Sequence, residues 1–133
     1  RYHDFLRRGA VYPEDGECRW AIWQPDRFAG LEAKCEGRVT LIERFCSGRE
    51  LLLNFRTATD GWIKAEIVKT IHTPPRPVDA HDGFSLDEVD TLSGDSISQA
   101  VRWQGKSDLS ALKGENVGLR FHLYKAKIFS VSI

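Results

Sequence analysis

The carboxylates Asp82, Asp87, Glu88 and Asp90 crowd one short stretch, within a segment from Asp79 to Asp95 that holds six acidic residues and no Lys or Arg. Two carboxyl groups at a fixed separation can cleave a glycosidic bond, one as acid and one as nucleophile or base. That chemistry needs one carboxyl to keep its proton while the other stays ionised. Sequence neighbours in one acidic loop share an environment, and nothing here sets their proton affinities apart. They are not read as a catalytic pair. A solvated loop face is the bland reading of the run. A calcium site is the sharper one, because oxygen ligands from a loop suit that ion. No cofactor is otherwise called for.

The remaining reactive side chains are scattered. His3, His72, His81 and His122 lie far apart with no HExxH arrangement, and neither a Gly-x-Ser-x-Gly elbow nor a phosphate-cradling loop is present. Cys18, Cys35 and Cys46 make an odd count without CxxC or Cys/His spacing, so zinc is not supported. One disulfide with one free thiol, and three reduced thiols, both stay open, and the compartment stays open with them. No catalytic residue and no metal ligand is assigned, and the chain is not expected to be an enzyme by itself.

Between Trp103 and Leu123, Trp, Asp, Arg and His stand close together, which could be a site or scaffold. Asp108 precedes Leu109 and Ser110 where a short helical turn would begin, and a carboxylate there accepts from exposed backbone N–H groups. Gly114 ends that turn, as a residue free to take positive φ should. Capping accounts for Asp108 without chemistry. Trp103 falls on the apolar side of its run with Val101, a core position. Arg120 and His122 alternate outward, towards a polar face shared with a neighbour such as Arg102.

Binding is a stronger expectation than catalysis. Sugar rings stack on flat aromatic faces, and an exposed Trp on a sheet offers one. Trp62 is the first candidate because it points away from the Ile63 side and stands beside Lys64 and Glu66. Trp23 and Trp20 follow. The competing reading buries such an outward aromatic against a neighbouring domain, and it ranks ahead of sugar stacking.

The elements that must carry these residues have a period of two. Ile63, Ala65 and Ile67 alternate with Trp62, Lys64 and Glu66; Leu51, Leu53 and Phe55 alternate with Leu52, Asn54 and Arg56. Val117, Leu119, Phe121 and Leu123 alternate with Gly118, Arg120 and His122. Ile97, Val101 and Trp103 share one side, and Phe129, Val131 and Ile133 close the chain. Turn signals (EDG, CEG, CSG, TDG, SGD) separate the runs. The three prolines of "HTPPRPVDAHDG" forbid a central strand, so that stretch reads as a long loop. The pattern predicts an all-β fold, an antiparallel two-sheet sandwich of jelly-roll, concanavalin-like type with about eight or nine strands. Residues 1–19 read as a linker or the tail of a preceding module, and residues 20–133 as the sandwich.

Nineteen Lys plus Arg balance nineteen Asp plus Glu. A neutral chain argues against nucleic acid or an anionic membrane as the main partner. No apolar run approaches the roughly twenty residues of a membrane span, and no signal peptide is visible. The start at Arg1 and the absence of Met suggest a piece of a larger or processed protein.

Six short motifs carry a resemblance: Gly83-Phe84-Ser85, Gly94-Asp95-Ser96, Val101-Arg102-Trp103, Asp108-Leu109-Ser110, Leu119-Arg120-Phe121 and Ala126 to Ser130. Together they resemble the C-terminal β-sandwich of bacterial glycoside hydrolase-like proteins, in which a five-bladed propeller of family 32 or 43 type precedes the sandwich. "DRFAGLEA" is similar to that group's opening motif but has Arg27 where Gly is expected and Gly30 where Ser is expected. The resemblance spans about residues 20 to 133. It implies a non-catalytic accessory module that packs against and stabilises the upstream propeller, since the propeller would carry the catalytic carboxylates. A carbohydrate-binding, lectin-like module is the alternative.

Overall fold

The structure, a computed structural model, describes residues 20–72 and 75–133. Five strands make one antiparallel sheet: β1 (Leu31–Phe45), β2 (Leu52–His72), β3 (Pro75–Ala80), β4 (Asp95–Ala100) and β5 (Asn116–Ser132). Their order is β1-β5-β2-β3, with β4 pairing to β2. The fold is all-β, as the period-two pattern requires. The one helical piece among the described residues is a 3-10 turn at Ser110–Leu112. The expected linker at residues 1–19 lies outside the described residues.

Among the described residues, three long strands and two six-residue ones stand where about eight or nine short ones were expected, because two turn signals are not turns. CEG falls inside β1 and TDG inside β2, each at a shift of register against β5, between Ala33 and Glu36 and between Thr57 and Trp62. The runs either side of TDG are one continuous strand of 21 residues. Likewise "NVGLRFHLY" and "KIFSVSI" are both parts of β5. The Pro-rich stretch is also more ordered than a loop. Pro75–Ala80 forms β3, with Pro77 opposite Thr70, at the end of the sheet order. An edge strand tolerates proline because one side of its backbone needs no ladder bond.

The core lies on one face of this sheet. Leu53, Phe55, Ile63, Ala65 and Ile67 of β2 and Val117, Leu119, Phe121, Leu123, Ala126 and Ile128 of β5 are all buried there. The segment between β3 and β5 covers them with Val89, Leu92, Val101, Trp103, Leu109 and Leu112. Fully burying each larger aliphatic or aromatic side chain contributes about 1.5–3 kcal/mol. Backbone pairing of Leu92 with Ile63, and of Val89 with Trp103, fixes the covering layer in place.

Two expected inward positions are reversed. Lys125 has φ +45° and adds a residue to β5 at a bulge, which moves Ala126 and Ile128 into the core and leaves Phe129 half-buried on the outer face. Ile97 is 53% exposed because Ser96, not Ile97, stands opposite the buried Phe55.

Candidate binding surfaces

Trp20 and Trp23 belong to the segment that leads into β1, and with Ile22 and Phe28 they stand in solvent; Trp20 is 94% and Phe28 80% exposed. Trp23 and Phe28 hold each other at 5.2 Å between ring centroids. Arg27 ties the segment to the sheet. Its Nε donates to Asn54 Oδ1 at 2.8 Å and one Nη to the Phe55 carbonyl at 3.2 Å. The same Nη lies 2.5 Å from Asp95 Oδ1. The guanidinium sits 4.8 Å over the Phe129 ring, and Asn54 completes the clamp by donating to the Pro25 carbonyl. The residue that departs from the resembled motif is thus the anchor of the segment.

Arg27→Ala should cost about 1–3 kcal/mol, because it strips the buried Asn54 Oδ1 of its donor. The hydrogen bond from Arg27 also holds the Asp95 carboxyl below its ordinary value of 3.8. A pKa depressed by folding contributes stability above the unfolded value, lost as pH falls through the folded one. Urea melts should therefore show the gap between wild type and variant narrowing below pH 3.8; an unchanged gap would place the loss in packing alone.

Next to Phe28 an apolar groove of about 520 Å³ opens at Ala29 and Gly30. Leu31, Leu41, Leu119 and Ile128 line it, with Ile133 at its end. It exists because β1 is an edge strand that the covering layer does not reach. Leu31 is 58% exposed, and Phe45, at the other end of β1, is 64% exposed.

Trp62 lies on the opposite face of the sheet. It is half-buried, pairs across the ladder with Tyr124, and the two rings are parallel within 22° at 6.1 Å. It is neither bare nor part of the core. Lys125 Nζ stands 5.2 Å over the Tyr124 ring and pairs with Asp60. Two residues along, Arg38, His122 and Lys64 stand level on β1, β5 and β2. The next row holds Thr40, Arg120 and Glu66. Arg120 donates to Glu66 Oε1 at 2.8 Å and to the Val78 carbonyl at 3.4 Å. His122 Nε2 is buried 3.5 Å from Glu66 Oε1 and makes no hydrogen bond among the described residues. Arg102 is on the covering layer, its carbonyl accepting from Asp90 N–H, so the polar face is completed by Glu66 and Lys64 instead.

The Trp103 to Leu123 stretch itself is scaffold. Trp103 is buried, donates its indole N–H to the Ala65 carbonyl at 3.2 Å, and meets Phe84 edge-on at 5.3 Å. Asp108 accepts from the Ser110 N–H at 3.0 Å and from its hydroxyl at 2.7 Å, bonds that lower its proton affinity. Gly114 has φ +86° and donates to the Cys46 carbonyl.

Glu88 and Asp90 of the acidic run are likewise occupied. Glu88 accepts from the Ser85 N–H and hydroxyl and from Gln104, and the Ser85 bonds hold its pKa down. Asp90 accepts from Gly105 N–H. A general acid would need the reverse shift. Among the described residues no three His, Cys, Asp or Glu side chains converge as a metal would require, and no helix is long and apolar enough to cross a membrane. Cys35 is exposed, Cys46 is buried, and both are free thiols; Cys18 lies outside the described residues.

Sequence reasoning named Trp20, Trp23 and Trp62 but missed Phe28, the groove and the Arg27 clamp. The signal for Phe28 was its place directly after Arg27 at the end of the polar run that follows Trp23. Nothing local announced the clamp, whose partners Asn54, Asp95 and Phe129 are far away in sequence. Comparisons of the chain with family models, curated proteins and solved structures give no match.

Proposed function

We propose that this chain is a non-catalytic β-sandwich module of a glycoside hydrolase-like protein, packing against and stabilising an upstream domain. The sheet and its covering layer correspond in this reading to the two layers of a jelly-roll sandwich. The six motifs of the resemblance suggest a propeller as the upstream partner. The observation that carries docking is the exposed Trp23–Phe28 pair, followed in the chain by Ala29 and Gly30 at the mouth of the apolar groove. Large aromatics held out in water beside a buried clamp mark an interaction surface, and here Arg27 and Asn54 tie their segment to the sheet.

The test is to express the polypeptide encoded upstream as a separate chain and measure its binding to this one by calorimetry. Wild type should bind, and Trp23→Ser with Phe28→Ser should weaken binding by at least about tenfold, as loss of two central aromatic anchors does. The melting temperature of the module should hardly move, since both rings are exposed. No association between the wild-type chains would overturn the reading.

A second reading, a carbohydrate-binding module, has its own observation. The Trp62–Tyr124 pair stands half-exposed among polar groups on the opposite face, so docking by the groove would leave it open to a ligand.

A further inference from the structure

Beside the Trp62–Tyr124 pair, β1, β5 and β2 form a second groove, of about 680 Å³, with a different lining. Lys34, Arg56, Lys125 and Lys127 line it, against a single carboxylate, Glu32. Arg56 and Lys127 stand directly opposite each other across the β2–β5 ladder, and Glu32 stands opposite Lys127. Like charges placed opposite each other destabilise a sheet, and here the whole chain is neutral. The cost is partly relieved by Phe129, whose ring has Arg56 Cζ at 5.9 Å and Lys127 Nζ at 5.4 Å. Lys125 is neutralised by Asp60 and Arg27 by Asp95. Lys127 and Lys34 have no ion-pair partner among the described residues, and Arg56 stands opposite Asp95, whose carboxylate Arg27 already holds. Asp82, Asp87, Glu88 and Asp90 of the acidic run belong to the covering segment, away from this groove.

We infer that this groove binds an anionic sugar, its carboxylate or sulfate held by Lys34, Arg56 and Lys127 while a ring packs on the Trp62–Tyr124 pair. The inference rests on the carbohydrate-binding reading and adds the ligand class to it. Guanidinium and ammonium groups side by side recognise a carboxylate or sulfate by charge-assisted hydrogen bonds. Glu32 supplies an acceptor for a neighbouring sugar hydroxyl. A nucleic acid fits less well. It needs a long basic track along successive phosphates, whereas Asp60, Asp95 and Glu32 interrupt this face within a few residues.

Four probes separate the possibilities: a sulfated oligosaccharide, an oligouronate, a neutral oligosaccharide of equal length, and a single-stranded oligonucleotide. Binding to the 133-residue chain is followed by calorimetry and Trp fluorescence at low and high salt. One or both acidic sugars should bind, more weakly as salt rises, and which of the two binds identifies the anion. Arg56→Gln with Lys127→Gln should weaken that binding by at least about tenfold, the worth of one charge-assisted hydrogen bond. Trp62→Ala should also weaken it. Matching circular dichroism and melting curves would show that the variants remain folded, and Lys34→Gln, at an exposed position, provides a third variant with little structural risk. Equal binding of neutral and acidic sugars would overturn the anionic assignment and leave the carbohydrate reading standing. Binding of no sugar would overturn both. Tighter binding of the oligonucleotide would overturn the inference in favour of nucleic acid.

Discussion

Trp103→Ala should lower the stability of the domain by about 3–5 kcal/mol, the usual cost of emptying a large buried aromatic site. The indole is only 3% exposed. It stands in the covering layer, edge-on to Phe84, and its N–H is satisfied by the Ala65 carbonyl of β2 beneath it. The substitution therefore removes both the volume that fills the space between layers and a hydrogen bond that joins them. Its backbone partners Val89 and Lys106 limit how far the layer can collapse into the cavity. Trp103→Phe should cost less, since much of the ring volume remains and only the N–H bond is lost, about 1 kcal/mol. Urea denaturation would show the Ala variant as a large fall in midpoint at nearly constant slope. A midpoint close to wild type would mean that the covering layer is not docked through Trp103.

Gly61→Ala should cost about 3 kcal/mol, the upper part of the range for forcing atoms into a filled space. A Cβ at this position would lie 2.5 Å from the Lys125 carbonyl oxygen, 2.9 Å from the Tyr124 carbonyl oxygen and 2.9 Å from the Ala58 nitrogen. All three are backbone atoms, so no side chain can swing aside. Gly61 is buried at the point where β2 shifts register against β5, opposite the Lys125 bulge. Relief would require the ribbon to open there, disturbing the Trp62–Tyr124 pair as well. Thermal melts of the variant would show the loss directly, and Trp62 fluorescence would report the disturbed pair. A melting temperature within a degree or so of wild type, about 0.3 kcal/mol or less for a domain of this size, would show that the two strands do not approach as closely as this.

The two substitutions mark different limits of what the chain reveals. Trp103 could be placed in the core from Val101 alone, because alternate residues share a face whatever the rest of the sheet does. Gly61 could not be placed, because a glycine at a hairpin and a glycine at the bend of a continuous strand leave the same local trace. The candidate surfaces divide in the same way. Trp62 was legible as an outward residue, and its half-burial came from Tyr124, which the register brings opposite. The apolar groove was illegible. Leu31, Leu41, Leu119 and Ile128 come from β1 and β5, which the sequence pattern does not bring together. The basic groove was hidden by composition, since equal totals of acid and base do not tell that Lys34, Arg56 and Lys127 are brought together.

From the sequence by itself followed the β class, the antiparallel character, the apolar side of β2 and of the first half of β5, and the turn at Asp108 to Gly114. These depend on neighbours within a few residues, on the pleat and on turn stereochemistry. Only the tertiary structure decided the number of strands, the reversal of Phe129 and Ile128, the conversion of a Pro-rich stretch into an edge strand, and the anchoring of Trp23 and Phe28 by Arg27. Each of these turns on one inserted residue or on a partner far away in the chain. The extra residue at Lys125 exchanges the faces only as far as Ile128; a second shift at Phe129 returns Val131 to the side of Leu53, and only packing against the rest of the sheet selects where these shifts occur.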